Sequence, residues 1–290
     1  MRFTYAEAMT DPSYYIPLAQ AAEAAGYTSM ALADSVAYPR DSDATYPYTP
    51  DGGREFLEDK PFIETFVLAA ALAAATTTLR FTPFVLKLPI RPPVLTAKQA
   101  ASVAALSGNR LGLGVGISPW PDDFEILDVP FDARGKRMDE CLDIVRGLTA
   151  GGYFEFHGEF YDLPPIKISP VPTEPIPLLI GGHSRPALRR AARRGDGWMH
   201  AGGDPAELDR LLAELDALRK EYDTRADFEV HVISVDGFTV DGIRRLEDKG
   251  VTDVIVGFRN PYTRDHDTET VDTKIANLSR FAERVIARTQ

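Results

Sequence analysis

Cysteine is almost absent: Cys141 is the only one in 290 residues, so no intramolecular disulfide can form. Its place beside Leu142 and Val145 in a helix-like run reads as a packed core thiol rather than a nucleophile. No run of about 18 apolar residues occurs, and no basic region followed by an apolar signal segment precedes the first strand-like stretch. Basic charge is also scarce. Lys and Arg number 32 against 43 Asp and Glu, a net charge of -11, which disfavours nucleic acid and anionic membrane surfaces as partners. Internal repeats and low-complexity tracts are missing too. The expectation is a soluble cytoplasmic protein acting on a small molecule.

What the chain does have is 44% hydrophobic residues, enough for a large core, arranged as strand-like and helix-like segments in alternation. Strands are predicted over 2–8, 28–33, 79–86, 110–116, 177–180, 198–200, 228–235 and 253–257. Helices are predicted between them, each with an apolar stripe at helical spacing: Asp11 caps the first, with Pro12 at its first position and Gly26 as its stop, and the second is expected from Pro61 to Ala75. This is the pattern of a (β/α)8 TIM barrel forming one domain over residues 1–290. Two connections, 35–60 and 151–174, are too long for simple turns. Both are expected to form walls and lid of a pocket at the C-terminal mouth of the barrel; the alternative for the second, which contains a hairpin-like stretch, is an oligomer contact.

The most informative stretch is Pro177-Leu178-Leu179-Ile180-Gly181-Gly182-His183-Ser184-Arg185-Pro186. A short apolar strand ends in two glycines, and a Ser-x-Pro start opens a helix. Glycines let backbone N–H groups approach an anion, and a helix N-terminus adds donors and a positive dipole end, so a phosphate seat is predicted. Ser184 is the expected N-cap. Ala187, Leu188, Ala191 and Ala192 form the buried stripe, which would leave Arg185, Arg189, Arg190, Arg193 and Arg194 outside. The plain alternative is a strand-to-helix turn with a solvated basic face.

Taken in order, Ala33-Asp34-Ser35, Tyr46-Pro47-Tyr48-Thr49-Pro50-Asp51-Gly52, Leu88-Pro89-Ile90-Arg91-Pro92-Pro93, Leu106 to Gly116, Phe131-Asp132-Ala133-Arg134-Gly135 and Gly181 to Trp198 resemble the bacterial luciferase-like superfamily. Within it they resemble the deazaflavin (coenzyme F420)-dependent oxidoreductases. The resemblance implies a flavin or deazaflavin lying across the barrel mouth, with its phosphate on Gly181, Gly182, His183 and Ser184, beside Arg185. The arginine-rich helix would meet the anionic lactyl-glutamate tail of the deazaflavin. A non-proline cis peptide at Phe84-Val85, behind the ring, is implied by position, as are ring contacts at Gly116 and Asp34. A homodimer is implied as well.

Two positions depart from relatives. Ser35 stands where many have histidine, and Ile117 where the sugar-phosphate dehydrogenase branch has a glutamate, which disfavours that branch's acid/base chemistry. Hydride transfer to or from a small organic substrate remains, with reduction of an electron-poor acceptor such as an activated C=C bond expected. Asp34, Ser35 and His200 are the candidate catalytic residues, with Ser118, Tyr38 and Glu7 as further proton donors. Trp120 and Trp198 would shape the pocket or the core. His157, His231 and His266 read as surface or packing residues.

Three alternatives accompany this reading. His183 and His200 end adjacent strands as metal ligands do in some barrel hydrolases, but the first strand supplies no paired histidines and the eighth ends without an acid, so no metal site is expected. A flavin mononucleotide (FMN)-dependent monooxygenase shares most of the same residues. A non-catalytic cofactor-binding protein would explain the missing acid/base residues.

Overall fold

The computed structural model describes residues 1–46, 49 and 52–289. Pro47, Tyr48, Pro50 and Asp51, part of the segment that carries the resemblance, lie outside the described residues. The strands are β1 (Arg2–Ala6), β2 (Ser29–Leu32), β3 in two pieces (Arg80–Pro83 and Leu86–Lys87), β4 (Leu113–Gly116), β5 (Leu178–Gly181), β6 (Gly197–His200), β7 (Glu229–Val232) and β8 (Asp253–Val256). All pair in parallel. β1 lies between β2 and β8, and the order runs on through β7, β6, β5 and β4 to the second piece of β3, while its first piece pairs with β2. The sheet therefore closes on itself through β3 as a (β/α)8 TIM barrel, and among the described residues one bridge, Phe81 to Leu111, supports the join below the break.

Among the described residues eight helices of nine residues or more surround it: α1 (Tyr15–Ala24), α2 (Thr65–Ala75), α3 (Pro93–Ser107), α4 (Arg134–Thr149), α5 (Arg185–Arg194), α6 (Pro205–Glu221), α7 (Val240–Asp248) and α8 (Val271–Arg284). Local chemistry sets their ends. The Asp11 carboxylate accepts the Ser13 N–H, Asp204 caps α6 and Thr270 caps α8, while α3 stops where Gly108 turns left-handed at φ 65°. α2 begins at Thr65 rather than Pro61, because the Glu64 side chain accepts the Val67 N–H and fixes the start there.

Apolar side chains form one large cluster between barrel and helices and a second inside the barrel, where Ala31, Leu179, Met199 and Ile255 pack with Phe84, Val85 and Ile233. Each large buried side chain contributes about 2 kcal/mol of hydrophobic stabilisation, so the two clusters dominate the fold. A third, smaller cluster of Met9, Phe56, Leu57 and Trp120 sits over the mouth.

The two long connections part company here. The described residues of the segment after β2 do reach the mouth, where Ser35, Tyr46 and Leu57 line it. The 151–174 segment does not, since it follows a helix and so leaves from the opposite end of the barrel. Its hairpin, Phe154–His157 with Asp162–Ile166, lies along the outer face of α4, where the Glu140 carboxylate accepts the N–H groups of Glu159, Phe160 and Tyr161. No residue of this segment lines the cavity described next.

Candidate active site at the barrel mouth

A cavity of about 550 Å³ opens at the C-terminal ends of the strands, the end where barrel loops gather. Its floor is the break in β3. The Phe84–Val85 peptide is cis, as expected from position. Val85 then lies against two bare backbones: a Cβ on Gly116 would come 2.6 Å from its Cγ2, and one on Gly181 2.8 Å from its Cγ1. Glycine at both positions gives β4 and β5 room for Val85 at the cavity wall. The roof is aromatic. Tyr46 packs on Phe56, Trp120 and Tyr262 with ring centroids 5.1, 5.6 and 5.7 Å away, which joins the connections after β2, β4 and β8.

Four charged side chains line the wall, and the two carboxylates among them are fully engaged by protein. Asp34, at the end of β2, accepts the Lys87 N–H at 2.9 Å, the Arg91 guanidinium at 2.7 Å and the Thr65 hydroxyl at 3.1 Å. It lines the cavity yet works as a tie between β2 and the segment after β3. Glu7 accepts the Tyr5 hydroxyl at 2.8 Å and pairs with Arg259 and Lys274 at 3.2 Å each. Arg259 also pairs with Asp267 at 3.3 Å and donates to the Ala8 carbonyl. The fourth, Lys87, reaches Asp123 at 2.8 Å across the face of Trp120.

Beyond β5 the chain turns at Gly182, whose φ of 124° suits glycine and whose Cβ would crowd that of Ala187 at 3.0 Å. Trp198, entirely buried, donates its indole N–H to the Gly182 carbonyl at 2.9 Å and so holds the turn. Gly181 and Gly182 line the cavity; His183, Ser184 and Arg185 follow directly outside it. Ser184 occupies the N-cap position of α5, but its hydroxyl makes no capping bond.

His200 is buried and does not line the cavity. Its ring stacks on His183 with centroids 4.5 Å apart. Burial first, and the neighbouring His183 second, push its pKa down to about 4, so it is neutral at ordinary pH. His183 is lowered as well, mainly by burial, and its Nε2 accepts the Ala201 N–H at 3.1 Å. Among the described residues no three His, Cys, Asp or Glu side chains are placed to hold a metal ion. Nor is any described helix long and apolar enough to cross a membrane.

A family model described as luciferase-like monooxygenase matches residues 2–236. The chain belongs to this family. An uncharacterized protein of Mycobacterium tuberculosis is 70% identical over 288 residues, covering 99% of this chain and all of its own length. An FMNH2-dependent dimethylsulfone monooxygenase of Pseudomonas fluorescens is 29% identical over 252 residues, 86% of this chain and 63% of the relative. Among solved structures, coenzyme F420-dependent tetrahydromethanopterin reductase from Methanopyrus kandleri superposes with a TM-score of 0.75 at 16% identity, covering 100% of this chain and 99% of that one.

In this luciferase-like barrel, Asp34, Ser35, Phe84, Val85, Gly116, Gly181 and Gly182 come together around one cavity, as do Glu7, Ser118 and Trp120. Ser118 is spoken for: its hydroxyl donates to Asp123 and accepts the Trp120 N–H at 3.1 Å. The arginines of α5 divide differently from the expectation. Arg190 is buried against Asp139 at 2.6 Å and Arg194 pairs with Asp143 at 3.1 Å, because α4 offers carboxylates at matching four-residue spacing. Arg185, Arg189 and Arg193 stay exposed, Arg193 lying over the Tyr222 ring. Two cavity cations escaped the sequence reading. Lys87 interrupts an apolar strand end, and Arg259 follows the end of β8, a position where barrel side chains serve the mouth; both signals were available.

Proposed function

We propose that this protein is an oxidoreductase that holds a deazaflavin, coenzyme F420, at the barrel mouth and reduces an electron-poor small molecule. One observation carries the reading: an apolar cavity whose floor is the cis-linked Val85 between Gly116 and Gly181, and whose edge runs straight into the Gly182 turn and the start of α5. A planar ring system fits the floor, and a phosphate fits the turn, where backbone N–H groups and the positive end of α5 meet it. The preference for the deazaflavin rests on Arg185 and Arg189, the exposed arginines nearest that end of α5, which suit an anionic tail. When bound, the reduced cofactor supplies a hydride.

The chain's own residues then bind, orient and keep out water. Asp34 acts as a positioning residue, fixing the backbone of Lys87 and the guanidinium of Arg91. Tyr46, Trp120 and Tyr262 cover the cavity and lower the water content around the acceptor. The Ser35 hydroxyl, on the cavity wall, is the proton donor this reading favours. His200 serves the turn by stacking on His183 rather than by touching substrate.

An FMN-dependent monooxygenase is the second reading, supported by the relative named FMNH2-dependent at 29% identity. Parallel binding titrations with coenzyme F420, with the same deazaflavin lacking its glutamate tail, and with FMN separate the two. Tight deazaflavin binding that weakens on tail removal supports the proposal; selective FMN binding replaces it with the second reading.

A further inference from the structure

Of the four charged side chains on the cavity wall, Lys87 is the one whose charged nitrogen is buried without a hydrogen bond of good geometry. Asp34 and Glu7 each accept from three groups, and the Arg259 guanidinium is shared among Glu7, Asp267 and a backbone carbonyl. Lys87 sits two residues past Val85, with its backbone held by Asp34 and its side chain 12% exposed. That exposure belongs to the stem: the ammonium itself is buried, 2.8 Å from one Asp123 oxygen and 4.8 Å from the Trp120 ring centroid, and makes no hydrogen bond of good geometry. An ammonium carries three N–H donors, so one carboxylate oxygen that already receives the Ser118 hydroxyl leaves most of them unmet. Leaving charged donors unmet in a nearly dry place is costly unless a ligand atom completes them.

We infer that Lys87 is the oxygen anchor of the cavity and selects a flat, conjugated carbonyl or nitro acceptor, stacked beside Trp120 with its oxygen on Nζ. The inference rests on the hydride-transfer reading given above. For a conjugated ketone the electron count is complete. Hydride bonds to the β-carbon, the C=C pair moves to join Cα to the carbonyl carbon, and the carbonyl π pair moves onto oxygen, where the Lys87 charge stabilises it. A proton then bonds Cα and the C=O bond re-forms. The acceptor gains two electrons and two hydrogens: the cofactor gives up both electrons and one hydrogen as hydride, and the Ser35 hydroxyl, re-protonated from solvent, gives the other as the proton.

The probe is para-dimethylaminobenzylideneacetone, a flat conjugated ketone whose visible band moves to the red when its oxygen meets a cation; para-dimethylaminostyrene, which has no oxygen, is the control. With the protein alone, the ketone band should shift to the red. In Lys87→Met the shift should vanish and the ketone Kd rise about tenfold, while the styrene binds within about twofold of the original. Lys87→Arg should keep the shift, which also excludes an imine. Asp123→Asn leaves the lysine in place with one competing acceptor weakened, so its shift should grow. A red shift that survives in Lys87→Met, or a styrene affinity that falls in step with the ketone, overturns the inference, since Lys87 would then only shape the cavity. The same proteins titrated with coenzyme F420 and FMN separate the two ideas. A red shift without binding of either cofactor overturns the hydride-transfer reading and leaves Lys87 as an oxygen anchor, and cofactor binding without a red shift overturns Lys87 alone.

Discussion

At Gly114 a methyl group would sit 2.0 Å from the Pro83 carbonyl oxygen and 2.6 Å from the Met199 sulfur, so the backbone of β3 and the barrel interior both forbid it. Gly114→Ala should therefore cost about 3 kcal/mol, read as a lower urea midpoint. Gly181→Ala meets no backbone atom closer than 3.5 Å, and its one tight contact is Val85 Cγ1 at 2.8 Å, which must shift. That variant should fold but bind cofactor more weakly, and equal affinity would show that the Val85 floor does not contact the ring. His200 makes a different kind of prediction. Its folded pKa near 4 lies below the ordinary value of 6.5, so the unfolded chain takes up the proton first. The stability that neutral His200 provides is present in full above the ordinary value and drains away as pH falls toward 4. Between about pH 7 and about pH 4.5 the melting temperature of His200→Gln should accordingly fall less than that of the original protein.

Between elements, the contact of α4 with α5 shows how a charged face becomes an interface. Arg190 and Arg194 are one helical turn apart, as are Asp139 and Asp143, and the two pairs close like rungs. Arg190 is the buried member, with a second bond to the Gly135 carbonyl at 3.0 Å. Removing it leaves a half-buried carboxylate without its partner. Arg190→Ala should cost about 2 kcal/mol in a urea titration, whereas the exposed Arg189→Ala should change stability by less than about 0.5 kcal/mol. Arg189→Ala should instead weaken binding of the intact deazaflavin more than that of the tail-less form, which ties this solvent-facing arginine to the cofactor and not to the fold.

Across the whole molecule, the mouth is closed by contacts between segments far apart in the chain. Lys60 donates to the Asp265 carbonyl at 2.7 Å, Arg264 pairs with Glu55 at 3.2 Å, and the ring of Tyr262 meets both Tyr46 and Phe56. These contacts join the connections after β2 and β8 over the cavity while the barrel core lies below them. Tyr262→Ala should leave the melting temperature nearly unchanged and raise the cofactor Kd about fivefold, the loss of one or two aromatic contacts. Saturating the intact protein with its cofactor at about a hundred times Kd should add about 2.7 kcal/mol of stability, and only the true cofactor class will do so.

The cis peptide at Phe84 and Val85 followed from the family resemblance, whereas the amino-acid sequence by itself determined the eight barrel strands, most helix boundaries and the glycine turn after β5. These depend on local signals: apolar period, capping side chains, glycine where a backbone must come close. What only the tertiary structure decided is which charges are spent. α4 and α5 lie far apart in the chain, so nothing local told that Asp139 and Asp143 would consume Arg190 and Arg194. In the same way Asp34 became a tie, His200 was packed outside the cavity, and the hairpin after α4 was carried away from the mouth by the direction of the helix before it. Arg91 took the carboxylate of Asp34, while the Lys87 ammonium was buried beside Asp123 with donors unmet. Partner choice among charges is a long-range property of packing, and it is where the chemistry of this site was settled.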